Sequence, residues 1–186
     1  MATSKLTRPG ALSLEYFDEG SGPALIVLPS LGRGAKDYDE LAELLVAKGL
    51  RVIRPQPRGI GRSTGPMQNL TLHDLAADVA AVIEAEGLAP VAVAGHAFGN
   101  FVARMLATDR PDIVRGVALV AASAGKTPDG GSPYAPDVSD SVYRSGDLSL
   151  PEAERLEHLQ RAFFAPGNDA RVWLGGWHGE TKAMQR

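Results

Sequence analysis

Over its first 123 positions the chain alternates between two hydrophobic rhythms. Short, nearly continuous apolar runs at Ala24 to Leu28, Arg51 to Arg54, Val91 to Ala94 and Val117 to Ala121 predict strands buried on both faces. A further strand is expected at Leu12 to Phe17, followed by the turn Glu19-Gly20-Ser21-Gly22-Pro23. Between these runs, apolar residues recur at helical spacing. Tyr38, Leu41, Leu44 and Leu45 form one stripe, ended by Lys48-Gly49. Leu75, Val79, Val82 and Ile83 form another, opened by the capping-box pattern Thr71-Leu72-His73-Asp74 and stopped at Gly87. Phe101, Val102, Met105 and Leu106 form a third, stopped at Asp109-Arg110-Pro111. Strand and helix in alternation predict an α/β fold: a mostly parallel sheet with helices on both faces.

After Ser123 the rhythm breaks. Ala124 to Gly146 is rich in Gly, Pro, Ser and Asp and reads as a long loop. Ser149-Leu150-Pro151-Glu152 has capping-box form and opens a helix through Leu156, Leu159, Phe163 and Phe164. A turn at Pro166-Gly167-Asn168-Asp169 precedes a second helical stretch, Val172 to Arg186, which contains a Gly-Gly pair. The expected organisation is therefore a core over 1–123 and a helical cap segment over 124–186 laid over the sheet. Phe163, Phe164, Trp173, Trp177 and Met184 concentrate apolar surface in that segment. They either line an apolar ligand pocket or hold the cap helices in place.

Composition narrows the function classes. The 186 residues are 44% hydrophobic and 22% charged, the balance of an ordinary globular chain with a real core. Net charge is −3 and the cations are scattered, which argues against nucleic acid and anionic membrane as partners. There are no cysteines, so thiol nucleophiles and Cys-held metals are excluded. No apolar stretch reaches membrane-spanning or signal-peptide form, and a cytoplasmic setting is the expectation. Nothing in the pattern calls for a metal or cofactor.

The chemistry-bearing segment is Gly95-His96-Ala97-Phe98-Gly99, between a buried strand and an amphipathic helix. That context is the nucleophile elbow, a strained turn whose central side chain is lifted above the sheet. Flanking glycines are needed because strand and helix backbones approach too closely for side chains. Arg58-Gly59-Ile60-Gly61-Arg62-Ser63 and Leu28-Pro29-Ser30-Leu31-Gly32 supply two further ordered motifs. On these three segments, residues 11 to 123 resemble the α/β-hydrolase superfamily, in the branch of esterases, lactonases, dehalogenases and epoxide hydrolases. The resemblance departs from the family in three places. Gln56 stands two residues before Arg58, where Asp is usual; Pro29-Ser30 replaces a His-Gly pair; and Ala97 occupies the nucleophile position.

The resemblance implies acyl transfer through a nucleophile, a His base, an orienting acid and two backbone N–H groups for the oxyanion. By position those amides belong to Phe98 and Leu31, with Ser30, Phe163, Trp173 and Trp177 beside the substrate. A methyl group at Ala97 cannot attack a carbonyl. The family's histidine and acid follow later strands, and those C-terminal strands are expected to be missing here. His96 reads as scaffolding, His73 as solvated, His158 as lying on the polar side of its helix and His178 as a rim residue. Asp129, Asp137 and Asp140 read as loop carboxylates. Val117 to Ala121 would then be an exposed edge open to self-association. Two functions stay open: a hydrolase of small esters, lactones or similar electrophiles in knocked-out form, and a non-catalytic binder of a small apolar molecule. A dinucleotide site is excluded, since Gly59-x-Gly61 is followed by Thr64 rather than glycine, and Gly32-x-Gly34 lacks a third glycine.

Overall fold

The computed structural model describes residues 2–186. Six strands form one sheet: β1 (Thr3–Thr7), β2 (Leu14–Gly20), β3 (Ala24–Leu28), β4 (Arg51–Pro55), β5 (Val91–His96) and β6 (Val114–Val120), in the order β1-β2-β4-β3-β5-β6. β1 and β2 run antiparallel to each other, and β2 is antiparallel to β4. β4, β3, β5 and β6 are mutually parallel. The helices are α1 (Asp39–Ala47), α2 (Leu72–Ala85), α3 (Phe98–Asp109), α4 (Pro136–Arg144), α5 (Glu152–Phe163) and α6 (Gly179–Met184). The mostly parallel α/β sheet expected from the sequence is present.

Alternation along the central strands distributes side chains to two cores. Ile26, Leu28 and Ile53 point to the side covered by α2 and α3, where they join Val79, Val82, Ile83, Val102 and Leu106. Val27 and Val52 point to the other side, against Tyr38 and Ala42. A fully buried Val, Leu or Ile contributes about 1.5–3 kcal/mol, so the α2–α3 side, with the larger cluster, dominates. The Thr71–Asp74 capping box forms as the sequence predicts: the Asp74 amide donates to the Thr71 hydroxyl and the Thr71 amide to the Asp74 carboxylate.

Several local expectations are corrected. β2 starts at Leu14 and runs to Gly20, and β1 was hidden because its alternating Thr-Ser-Lys-Leu-Thr pattern carries one large apolar residue. On α1 the buried residue is Ala42, beside Tyr38 just before the helix and with Leu45 and Val46 packed against them, while Leu41 and Leu44 are exposed. The region expected as a loop contains α4, which starts with Pro136 in its first turn and was masked by its polar composition. No capping box forms at Ser149: Pro151 is the N-cap of α5, and the Ser149 hydroxyl donates to Asp147.

The chain divides into two compact units. The first holds the sheet, residues up to Ala122, together with Glu180–Arg186, a segment that the sequence pattern groups with the cap. The second, Ser123–Gly179, has its own core of Leu159, Ala170 and Trp177, flanked by Leu156, Phe164, Trp173 and Leu174.

Candidate active site

Registers align the C-terminal ends of three neighbouring strands. Leu28 pairs with Gly95, and Gly95 with Leu119. The chain leaves β3 and β5 side by side, where open α/β sheets place ligands. The residue after β5, Ala97, has φ 48° and ψ −109°. A non-glycine residue there costs on the order of 1–3 kcal/mol and persists only when its surroundings over-determine it. They do so here. The Ala97 amide donates to the Val120 carbonyl at 3.0 Å, and the Asn100 amide donates to the Ala97 carbonyl at 3.1 Å. The fully buried Asn100 side chain donates to the same carbonyl.

The flanking glycines are sterically required. A methyl at Gly95 would run into the Gly99 carbonyl, and one at Gly99 would lie 2.5 Å from the Leu28 carbonyl oxygen. The helix α3 thus packs its first turn directly on the backbones of β3 and β5. The Phe98 amide, first in α3, has no acceptor among the described residues.

Opposite it lies the loop Ser30-Leu31-Gly32, whose three amides are treated differently. The Ser30 amide donates to the Tyr38 hydroxyl at 3.1 Å. The Gly32 amide donates to the Gln185 side-chain oxygen at 2.7 Å. Between them, the Leu31 amide has no acceptor among the described residues. Tyr38 Oη also lies 2.8 Å from His96 Nδ1. That hydroxyl accepts from Ser30 and shares one hydrogen bond with the His96 ring, joining the two loops through a single oxygen. Burial holds the His96 pKa below the usual histidine value, with Asp37 opposing weakly, so the ring is neutral.

Beneath the elbow is a small, mainly apolar cavity of about 50 Å³. Leu28, Pro29, Val79, Phe98, Val102 and Gln185 are among its walls, together with the ion pair of Arg58 and Asp78. Arg58 grips Asp78 in a bidentate pair at 2.6 and 2.8 Å. Burial nevertheless raises the Asp78 pKa, the arginine offsetting part of that shift. Gln56, standing where Asp is usual, is buried and accepts from the Ala35 amide at 2.6 Å. The carboxylate partner of Arg58 is supplied by α2.

Of the residues singled out by sequence, the structure brings Ala97, Phe98, Leu31 and Ser30 onto adjacent loops of the first unit. Ser30 itself is buried. Phe163, Trp173 and Trp177 belong to the second unit. There the Phe163 and Trp173 rings meet at a tilt with centroids 5.6 Å apart, and Trp177 fills that unit's core against Gly146. His73, solvated as expected, pairs with Asp109 at 2.7 Å. His158 departs from its expected polar face: it is largely covered and lies 3.1 Å from the Ser141 hydroxyl of α4. Asp129, Asp137 and Asp140 pair locally with Thr127, Arg161 and Arg144. No group of three or more His, Asp or Glu able to hold a metal occurs among the described residues. No helix among them is long and apolar enough to cross a membrane.

Sequence reasoning missed Tyr38, Asp78, Asn100 and Gln185. Tyr38 was counted only as an apolar stripe residue, although its hydroxyl needs a partner once buried.

The elbow, the paired loops and the sheet order define a hydrolase-type α/β scaffold. The family model described as alpha/beta hydrolase fold matches residues 23–179, and the chain belongs to that family. It is 28% identical over 167 residues to a Mycobacterium tuberculosis protein provisionally named non-heme bromoperoxidase BpoC, covering 89% of this chain and 63% of the relative. It is 27% identical over 156 residues to a soluble epoxide hydrolase of Corynebacterium sp. strain C12, covering 83% of this chain and 48% of the relative. Among solved structures, an esterase from Exiguobacterium antarcticum superposes with a TM-score of 0.74 at 20% identity, over 94% of this chain and 68% of that one. The chain thus spans about half to two-thirds of the length of these relatives.

Proposed function

We propose that the first unit carries a binding site for the carbonyl of a small ester, lactone or similar electrophile, on a hydrolase scaffold that does not turn it over as written. The observation that carries the reading is the elbow itself. Ala97 is held at φ 48° and ψ −109° by backbone bonds on both sides, a strained geometry suited to presenting a nucleophile. The Phe98 and Leu31 amides, without acceptors on the two flanking loops, suit an oxyanion. Leu31 is favoured because its neighbours Ser30 and Gly32 are already taken by Tyr38 and Gln185.

Ala97 has neither a proton to lose nor a lone pair to give, so no acyl intermediate forms. His96, held neutral by burial, is hydrogen-bonded through Nδ1 to the Tyr38 hydroxyl, which makes it a prop for the loop. The partner is a small apolar molecule with a polar carbonyl end, met in the cytoplasm. The alternative reading, a non-catalytic receptor for such a molecule, is favoured by the same alanine.

A nucleophile that needs no partner base separates the two. Ala97→Cys places a thiol at the first turn of α3, where the helix terminus favours thiolate. With 4-nitrophenyl acetate, the thiolate attacks the carbonyl carbon, 4-nitrophenolate leaves with the bonding pair, and a thioester remains. Acylation at least tenfold faster than N-acetylcysteine at equal thiolate concentration supports an oxyanion-stabilising site. Acylation no faster, with measurable binding of the ester to the parent chain, supports the receptor.

A further inference from the structure

Residues 180–186 return to the sheet-bearing unit and are anchored there at several points. The buried Thr181 hydroxyl donates to the Arg58 carbonyl at 2.9 Å. The Lys182 Cβ packs so closely on Gly32 that a methyl at Gly32 would lie 2.7 Å from it. Gln185 lines the same cavity as Phe98 and Gly99, and its carboxamide oxygen accepts from the Gly32 amide. The loop after β3 is therefore held from two directions: Tyr38 from its own side of the sheet at Ser30, and Gln185 from the far end of the chain at Gly32.

We propose that Gln185 is a positioning residue for the oxyanion loop, acting on the Leu31 amide through Gly32. This rests on the reading of Leu31 as a carbonyl-binding amide. Gly32 adopts φ +64°, a conformation that commits the loop to a sharp turn. The bond to Gln185 fixes the peptide plane between Leu31 and Gly32, and Tyr38 fixes the N–H of Ser30. The Leu31 N–H shares its peptide plane with the Ser30 carbonyl, which accepts from the Arg33 amide at 3.1 Å, and the bonds at Ser30 and Gly32 brace the planes on either side of it. A preorganised donor costs no reorganisation when charge develops on the carbonyl oxygen, which is why such a clamp would matter to chemistry and not only to folding.

The test uses Gln185→Met, which keeps length and volume without a strong acceptor, and Gln185→Glu, which keeps an acceptor oxygen. In the otherwise unaltered chain, amide hydrogen exchange and nitrogen-proton spectra follow Ser30, Leu31 and Gly32. Gln185→Met is expected to speed exchange at Gly32 by at least tenfold and to shift the Leu31 resonance; Gln185→Glu is expected to restore both. A change at Gly32 with Leu31 unmoved overturns the proposal, as does Gln185→Glu behaving like Gln185→Met.

A second arm places Gln185→Met on Ala97→Cys. A tenfold or larger loss of the saturated acylation rate is expected, with the half-saturating concentration of 4-nitrophenyl acetate within threefold and the thiol titration midpoint unchanged. A faster rate overturns the proposal, since it would mean that Gln185 obstructs the site. If Ala97→Cys alone shows no acceleration, the carbonyl-site reading fails, and the Leu31 spectra still decide whether Gln185 positions the loop.

Discussion

The Tyr38 hydroxyl lies 2.8 Å from His96 Nδ1 and accepts from the Ser30 amide at 3.1 Å, joining the elbow to the loop opposite it through one oxygen. Removing that oxygen strands a buried backbone donor and a ring nitrogen together. Tyr38→Phe should destabilise the chain by about 2 kcal/mol, the usual cost of leaving buried polar groups unsatisfied. Urea unfolding checks this through a lower midpoint at unchanged slope.

His96 also makes stability depend on pH. Burial lowers its folded pKa below the ordinary value of 6.5, so the unfolded chain takes up the proton first. Stability is therefore retained above about pH 6.5 and falls as pH drops through that value toward the folded pKa, by at most about 1.4 kcal/mol per pH unit. His96→Gln should remove that part of the slope, as read by thermal unfolding between pH 7 and pH 5.

The strain at Ala97 is measurable by substitution. Glycine tolerates φ 48° and ψ −109° without a Cβ clash, at the expense of a more flexible unfolded chain. Ala97→Gly is expected to raise stability by about 1 kcal/mol, and the β-branched Ala97→Val to lower it by more than that. Equal stability of all three would mean that the turn is relaxed. By contrast Gly95→Ala and Gly99→Ala, whose new methyls meet backbone atoms, should each cost about 3 kcal/mol or prevent folding.

Asp78 and Arg58 form a buried pair at the cavity. Asp78→Ala leaves the guanidinium without its counter-charge, and about 3 kcal/mol should be lost by chemical denaturation. A change below 1 kcal/mol would show that water reaches the site and solvates Arg58.

The outer strand β6 pairs with β5 alone among the described residues, and Leu119 and Val120 are about half exposed. A second copy could pair antiparallel about Val117, setting Arg115 opposite Leu119, so that no like charges meet. Sedimentation should show concentration-dependent association, reduced by Leu119→Lys; a monomer at all concentrations would refute it.

Much of this was legible in the sequence because strand burial and the elbow impose local rules. The continuous run at Ala24–Leu28 must be a central strand, and Gly95 and Gly99 must be bare because two backbones meet there. Strain at Ala97 follows from its place between them. What stayed hidden involves side chains far apart in sequence. Gln185 meets Gly32 across 153 positions, and Arg58 meets Asp78 on a different element. No periodicity encodes either contact. The helix α4 was lost for a different reason: its burial is shallow, so its polar residues gave no apolar stripe to read.

The carbonyl-activating site at the elbow is tested most directly by the acylation rate of Ala97→Cys by 4-nitrophenyl acetate, followed by nitrophenolate release and confirmed by the intact mass of one acetyl adduct. One equivalent of nitrophenolate is expected to be released at least tenfold faster than in the reaction of the ester with free N-acetylcysteine at equal thiolate. A rate equal to the free thiol would contradict a carbonyl-activating site at the elbow.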